Sequence, residues 1–174
     1  MCEGFLINMA NVYVFSDPHF HHRNMAIRRG FKDEIEMNEY IIKMYNSVIN
    51  KKDTCYILGD ITMEKANYEI LNRLNGIKHI ILGNHDEGQH TKILQQYVNK
   101  IYGMLDYKDF ILTHCPIHPS QLEHRYNKNI HGHVHENSIL KHHMLADYPG
   151  ELDTRYINVS AEVINYTPVL LNSL

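Results

Sequence analysis

Residues 79–86 read His-Ile-Ile-Leu-Gly-Asn-His-Asp, a short apolar run that ends in a cluster of polar side chains. Two earlier stretches have the same arrangement: residues 12–19 read Val-Tyr-Val-Phe-Ser-Asp-Pro-His, and residues 55–60 read Cys-Tyr-Ile-Leu-Gly-Asp. Short runs rich in β-branched and aromatic residues are typical of buried strands. The three runs therefore predict neighbouring strands of one sheet, each followed by polar residues.

Helical patterns lie between these runs. Apolar residues recur at helical spacing from Ile35 to Ile49, and shorter patterns cover residues 66–74, which Gly76 can end, and residues 93–98. Strands that alternate with helices indicate an α/β domain with a mainly parallel sheet. After residue 100 the strand-like pieces have fewer helices between them, which predicts a second, more antiparallel sheet. These pieces are residues 101–107, 109–113, 128–131, 155–160 and 166–171.

The bulk properties are those of an ordinary globular chain. Its 174 residues suit one domain, residues 1–174, with residues 1–8 as a dispensable extension before Met9. No apolar run is long enough to cross a bilayer, the N-terminus lacks the features of a signal peptide, and three cysteines are too few for a disulfide framework. We therefore expect a cytoplasmic protein without a membrane partner. The net charge of −3 provides no broad positive surface for nucleic acid, and the sequence indicates no oligomeric state.

Five predicted strands end in side chains that can bind metal ions. Ligands of open α/β sheets lie beyond the carboxyl ends of the strands, so these side chains should meet. Carboxylate, amide and imidazole groups together suit Mn²⁺, Fe²⁺ or Zn²⁺, and two such ions can share a carboxylate and a hydroxide while they grip a phosphoryl group. Glycines before Asp60, Asn84 and His133 allow the backbone to approach the site closely. The candidate ligands are Asp17, His19, Asp60, Asn84, His114, His133 and His135.

Each of these signals is weak when it is taken alone. An Asp-x-His at a strand end is often structural, Gly-Asn-His-Asp can form a turn or helix cap, and Gly-His-x-His can be a polar hairpin. Most of the fourteen histidines are expected to be ordinary surface residues. The order of all the signals, each after an apolar run, is what favours a metal site.

This order of residues resembles the calcineurin-like metallophosphoesterase family, from about residue 11 to residue 160. The first stretch, residues 17–24, and Asn158-Val159-Ser160 are most similar to small stand-alone bacterial and phage members. The resemblance implies a four-layer α/β/β/α sandwich of two mixed sheets, with a dinuclear metal site at the strand ends. It also implies two divalent cations, with Mn²⁺ favoured and Fe²⁺, Zn²⁺ or Ni²⁺ as alternatives.

The resemblance further implies a role for each matching residue. The first metal would be bound by Asp17, His19 and His135, the second by Asn84, His114 and His133, and Asp60 would bridge the two. His85 would be the general acid near the leaving group, and Asp86 would orient its ring. The implied activity is hydrolysis of a phosphate ester, a small phosphodiester or nucleotide, by a metal-bridging hydroxide. The alternatives are a nuclease of the same fold and a metal-binding scaffold without turnover.

Several further residues have two open interpretations. Arg23, Asn24 and Arg28 follow the first stretch and either bind the substrate or form a solvated basic turn. Cys115 is expected to be small, buried and inert, although it could lie near the metals. His131 is either a partner of a metal ligand or a strand residue. Six further histidines are expected at the surface, with substrate contact as an alternative for the first two: His118, His124, His79, His90, His142 and His143.

Overall fold

A computed structural model describes residues 10–64, 66–141 and 150–174 of the chain. The predicted extension and the two histidines His142 and His143 lie outside these residues. The strands are β1 Val12–Phe15, β2 Thr54–Ile57, β3 Ile77–Ile81, β4 Lys100–Tyr102, β5 Leu105–Tyr107, β6 Phe110–Leu112, β7 Lys128–His131, β8 Tyr156–Asn158 and β9 Val169–Leu170. The α-helices are α1 Arg23–Arg28, α2 Glu34–Val48 and α3 Thr91–Leu94. Short 3₁₀ helices cover Glu69–Arg73, Gly88–His90, Pro119–Leu122 and Leu171–Ser173.

The strands form two mixed sheets, which confirms the predicted α/β class. The first sheet has the order β4-β3-β2-β1-β9, in which the first four strands are parallel and β9 is antiparallel to β1. The second sheet has the order β5-β6-β7-β8. Among the described residues, no helix is both long and apolar enough to cross a membrane.

The second sheet is less antiparallel than the sequence predicted. Only β5 and β6 pair antiparallel, whereas β6–β7 and β7–β8 are parallel pairs. Parallel neighbours need a crossover of about a dozen residues or more, which is usually helical. The connections after β6 and β7 are long enough to cross over without an α-helix in their described part. The lack of helical periodicity was therefore a poor guide to strand direction.

Four predicted elements differ in their bounds or type. Residues 101–107 are two strands, β4 in the first sheet and β5 in the second, and the piece at 166–171 contributes only β9. The predicted helix at 66–74 is a 3₁₀ helix, Glu69–Arg73. The helix predicted at 93–98 is one turn, α3, followed by further turns.

Helix α2 follows the prediction. Asp33 caps it by accepting a hydrogen bond from the Glu36 N–H (2.8 Å), and the Glu36 carboxylate in turn accepts one from the Lys32 N–H (2.6 Å). This reciprocal arrangement satisfies N–H groups that have no partner inside the helix. The helix buries Met37, Ile41, Ile42 and Tyr45.

The first sheet is apolar on both faces. On one face, Phe15, Ile57 and Ile80 pack in a core with residues of α1 and α2. On the other face, Val14, Leu58 and Ile81 pack against residues of the second sheet, which are Leu112, Ile130 and Val159. Adjacent residues of a strand point to opposite faces, so β1 contributes to both cores. This packing fixes the two sheets against each other and aligns the ends of their strands.

Candidate metal centre

The carboxyl ends of five strands meet at one edge of the two sheets. β1, β2 and β3 run parallel in the first sheet, and β6 and β7 run parallel in the second. A parallel bridge between Ser16 and Ser160 joins the chain segments that follow β1 and β8. The seven predicted ligands all follow the five strands that meet here.

The side chains of the predicted ligands form one cluster. In three overlapping groups, the potential ligand atoms lie within 4.8 Å of one another. The groups are Asp17, His19 and His135; Asp17, Asp60 and His114; and His114, Cys115 and His133. The seventh predicted ligand, Asn84, places its Oδ1 2.9 Å from His114 Nε2. The cluster therefore contains groups that could hold metal ions.

The backbone is left-handed at most of these positions. The angle φ is positive at five of the seven predicted ligands: Asp17 (55°), His19 (49°), Asp60 (52°), His133 (68°) and His135 (51°). Residues other than glycine rarely adopt this conformation, which costs about 1–3 kcal/mol per residue. Residues in such conformations persist only where the surroundings enforce them, and they concentrate at functional sites.

The two oxygens of the buried Asp17 carboxylate differ in their hydrogen bonds. Its Oδ2 accepts hydrogen bonds from the His133 N–H (2.9 Å) and the Ser160 hydroxyl (3.1 Å). Its Oδ1 has no hydrogen-bond partner among the described residues and lies 3.8 Å from His19 Nε2. Gly132 permits this approach, because a Cβ there would overlap Ser16 Oγ and Asp17 Oδ2. The predicted role of this glycine is confirmed.

His19 is buried, and neither of its ring nitrogens has a hydrogen-bond partner among the described residues. Buried polar atoms are nearly always paired, so an exception requires an explanation. Burial lowers the pKa of His19 to about 3, which keeps the imidazole neutral. A neutral imidazole is the form that binds a metal ion.

The ring of His114 shows which of its nitrogens faces the cluster. Nδ1 donates a hydrogen bond to the Leu58 carbonyl (2.7 Å), so the neutral ring has a lone pair on Nε2. That nitrogen faces the Asn84 Oδ1 at 2.9 Å, which is also an acceptor. Two lone pairs at this distance need a proton or a cation between them. Burial opposes charge on the ring, but the Asp60 carboxylate raises the pKa of His114 above its usual value.

The Asp60 carboxylate lies between the two sets of imidazoles. Its Oδ2 is 3.7 Å from His19 Nε2, and its Oδ1 is 3.4 Å from His114 Nε2. Oδ1 also accepts a hydrogen bond from the His85 N–H (3.0 Å). Although burial opposes ionisation, the interactions with His114 and the His85 N–H outweigh it and lower the pKa of Asp60 to about 2. One ionised carboxylate therefore faces both halves of the cluster.

His85 lies at the rim of the cluster. Its Nε2 is 3.9 Å from Asp60 Oδ2, and 43% of its side chain is exposed. Its ring is also 5.8 Å from that of His19. This position leaves the ring accessible to a bound molecule.

Asp86 does not have the predicted role. Its carboxylate accepts hydrogen bonds from the backbone N–H groups of Asp60 (2.8 Å), Ile61 (3.1 Å) and Gly83 (2.8 Å). It thus ties together the segments that follow β2 and β3, and it acts on the position of Asp60 instead of on the ring of His85. The adjacent position in sequence was misleading, since neighbouring side chains here point in different directions.

The predicted substrate residues after β1 do not form one phosphate site. Arg23 pairs with Glu34 (3.8 Å), Arg28 pairs with Glu136 (2.5 Å), and Asn24 is exposed. These contacts favour the solvated basic turn over the substrate-binding interpretation. The residue of this segment that reaches the cluster is His22, whose ring centroid is 5.7 Å from that of His19.

A partly buried ion pair behind the cluster was missed from the sequence. Glu162 accepts a hydrogen bond from His135 Nδ1 (2.5 Å), and its other oxygen pairs with Arg29 (2.5 Å). Arg29 also donates to the backbone carbonyls of Asp17 (2.8 Å) and Pro18 (3.1 Å). Burial opposes charge on Glu162, but His135 and Arg29 lower its pKa to about 2. The only sequence signal was its place two residues after Asn158-Val159-Ser160.

Glu162 and Arg29 therefore position two predicted ligands. With Nδ1 bonded to Glu162, the Nε2 of His135 is the nitrogen left for a metal ion. Histidine ligands commonly donate their other ring N–H to a carboxylate in this way.

The remaining candidates differ from the predictions in part. Cys115 is exposed, not buried, and its sulfur belongs to the group with His114 and His133. His131 is a buried strand residue whose Nδ1 bonds to the Gly132 carbonyl (2.9 Å). His118 and His124 are exposed, as expected, whereas His79 and His90 are half-buried.

Relatives share nearly the whole chain. Over 179 aligned residues the sequence is 36% identical to the uncharacterized protein MJ1445 of Methanocaldococcus jannaschii, and the alignment covers 95% of this chain and 90% of the archaeal protein. The chain belongs to the MJ1445 family. No protein-family model matches it.

Two further proteins are similar to this member of the MJ1445 family. The Gene 66 protein of Mycobacterium phage L5 is 28% identical over 171 residues, with 78% of this chain and 83% of the phage protein covered. The crystal structure of the protein of unknown function AQ665 from Aquifex aeolicus has a TM-score of 0.68 at 27% identity, with 95% of this chain and 97% of that chain covered. The fold is therefore shared with a solved structure over almost its full length.

Proposed function

We propose that this protein is a metal-dependent phosphoesterase of the calcineurin-like type, and that it holds two divalent cations side by side. The first ion would be bound by Asp17, His19 and His135, and the second by Asn84, His114 and His133. The observation that carries the proposal is the position of Asp60, whose two carboxylate oxygens face His19 Nε2 (3.7 Å) and His114 Nε2 (3.4 Å). One carboxylate that faces two sets of ligands is the arrangement that a bridged pair of ions requires.

The donor set supports this choice of cofactor. Carboxylate, amide and imidazole donors suit ions such as Mn²⁺, Fe²⁺, Zn²⁺ or Ni²⁺, and we propose Mn²⁺. The unpartnered nitrogens of His19, the unpartnered Asp17 Oδ1 and the facing lone pairs of His114 and Asn84 all fit cations at these positions. When bound, the ions would activate water and neutralise the charge of a phosphoryl group.

The side chains of the site would have two roles. Asp60, Asp17 and the ligand histidines would hold the metal ions, and the ions would in turn bind the phosphoryl group. His85, exposed at the rim, would give a proton to the oxygen of the leaving alcohol. We propose a small phosphodiester or nucleotide as the substrate, since the net charge of −3 offers no extended surface for a nucleic-acid duplex.

The layer arrangement is also part of this proposal. Two cores, one between α-helices and the first sheet and one between the two sheets, support three of the four layers. The described connection between β6 and β7 contains the 3₁₀ helix Pro119–Leu122 instead of an α-helix.

Hydrolysis of bis-p-nitrophenyl phosphate tests the function. The protein loaded with Mn²⁺ should release p-nitrophenol, and EDTA should stop the reaction until Mn²⁺ is restored. Stoichiometric metal without turnover would instead indicate a scaffold. Tight, salt-sensitive binding of long duplex DNA with its degradation would indicate a nuclease.

Glu162→Gln should weaken the first metal site selectively. Glutamine has no negative charge to pair with Arg29 or to strengthen the hydrogen bond from His135 Nδ1. The affinity for the first ion should therefore fall about 10–100-fold. The second ion should bind as before. Titration with Mn²⁺ under competition by a chelator measures both sites.

Glu136→Gln is the matched control for this change, because Glu136 is an exposed glutamate that pairs with the neighbouring Arg28. It should leave both affinities unchanged. Equal weakening of both ions by Glu162→Gln, after thermal unfolding shows that the variant is folded, would argue against the positioning role of Glu162.

A further inference from the structure

A cavity of about 190 Å³ opens beside the metal centre. Of the proposed ligands and His85, only Asn84 and His85 line it. His85 therefore lies between the metal centre and the cavity. Its Nε2 is 3.9 Å from Asp60 Oδ2 on one side, and its ring lines the cavity on the other. If His85 protonates the oxygen of a leaving alcohol, the carbon skeleton of that alcohol enters this cavity.

Apolar and aromatic groups line part of the wall. Met63, Ala66 and Tyr68 contribute to it, and Tyr68 is 3% exposed. These groups can cover a few carbon atoms, and among these three side chains the Tyr68 hydroxyl is the hydrogen-bond donor. The volume limits the occupant to a small group.

Apart from His85 and His90, the charged side chains of the described wall are carboxylates. Glu64 and Glu87 line the cavity, and His90 Nδ1 lies 3.6 Å from Glu87 Oε2. Glu64 also accepts a hydrogen bond from Asn67 (2.6 Å), and Glu87 accepts one from Gln89 (2.5 Å). Burial, followed by the charges of Asp86 and Glu87, raises the pKa of Tyr68. No lysine or arginine is among the described lining residues.

We infer that this cavity binds the leaving group of the ester. It accepts a short neutral or cationic alcohol and rejects an alcohol that carries an anionic group in addition to the phosphate. This inference rests on the proposed function. The oxygen of water forms the new bond to phosphorus as the bond from phosphorus to the alcohol oxygen breaks, and the proton that this water loses passes to the solvent, which later reprotonates His85. The alcohol oxygen keeps the electron pair and takes the proton of His85, and hydroxyl or ammonium groups on the alcohol donate to the carboxylates of the cavity.

Two matched pairs of esters test the inference. Phosphoethanolamine and phosphoserine differ by a carboxylate on the leaving group, and so do glycerol 2-phosphate and 2-phosphoglycerate. Each is supplied as the monoester and as its methyl diester, so that the class of ester does not decide the result. In each pair, kcat/KM should be about tenfold or more lower for the member with the carboxylate.

The double variant Glu64→Gln/Glu87→Gln should reduce this discrimination to less than about threefold. Glu123→Gln, an exposed glutamate outside the described lining, should keep it. Lys65, which lies outside the described residues, provides a second control, since Lys65→Gln removes a positive charge next to Glu64 in the sequence and should not lessen the discrimination.

Equal rates within each pair would overturn the inference, as would discrimination that persists in the double variant. Turnover of bis-p-nitrophenyl phosphate with none of the alkyl esters would also overturn it. The absence of turnover on every ester, including the p-nitrophenyl diester, would instead refute the proposed function itself.

Discussion

Asp60→Asn is expected to abolish hydrolysis and to remove tight binding of both metal ions. Asparagine keeps the shape of the side chain but loses the charge, and only one of its two polar atoms can bind a cation. Because Oδ1 and Oδ2 of Asp60 face different sets of imidazoles, both sites should weaken together. Metal ions stabilise the charge of the transition state by several kcal/mol, so kcat should fall about 10³-fold or more.

Two further variants make this prediction specific. Asn84→Ala should mainly weaken the second ion, because the Oδ1 of Asn84 lies 2.9 Å from His114 Nε2. Asp53→Asn is the control, because Asp53 is another buried carboxylate and lies just before β2, at the opposite end of that strand from Asp60. Its carboxylate accepts hydrogen bonds from the N–H groups of Asn11 and Asn50. This substitution should alter stability without changing metal content. An Asp60→Asn protein that still holds two ions tightly would be incompatible with the bridge.

His85→Asn is expected to separate two kinds of ester. A general acid typically contributes about 10²–10⁴-fold, but only where the leaving group needs the proton. Hydrolysis of an alkyl phosphate ester should therefore fall by that factor, whereas hydrolysis of a p-nitrophenyl ester should fall less than about tenfold. Metal content should remain near that of the wild type, since the contact of His85 with Asp60 Oδ1 is made by the backbone N–H.

The neighbouring His22 is the rival donor, because its ring also approaches His19. His22→Asn should change the two rates alike, and asparagine can replace His22 as the cap of α1. If the selective loss on alkyl esters appeared in His22→Asn and not in His85→Asn, His22 would be the proton donor. Equal losses on both esters in His85→Asn would end the assignment of His85.

The residues of the candidate site could be predicted because they lie at strand ends. Asp17, Asp60, Asn84 and His114 each lie one residue beyond an apolar run, and the carboxyl ends of parallel strands meet at one edge. Periodicity also predicted α2, whose apolar face is long enough to be distinctive. These are local patterns with a direct geometric consequence.

Contacts between distant segments could not be predicted in the same way. Glu162 and Arg29 are 133 residues apart, and nothing near either residue indicates that they pair. The role of Asp86 depends on the direction of its side chain, which sequence spacing does not fix. The prediction of strand direction in the second sheet was inaccurate for a similar reason, because a crossover without a helix leaves no periodic pattern in the sequence.

The central claim is that two ions lie on either side of the Asp60 carboxylate. Anomalous diffraction from crystals of the Mn²⁺-loaded protein, measured above the manganese edge, tests it most directly. The account predicts two peaks about 3.5–4 Å apart, one next to His19 and His135 and the other next to Asn84 and His114, each within ligand distance of one Asp60 oxygen. A single peak, or two peaks of which only one contacts Asp60, would contradict it.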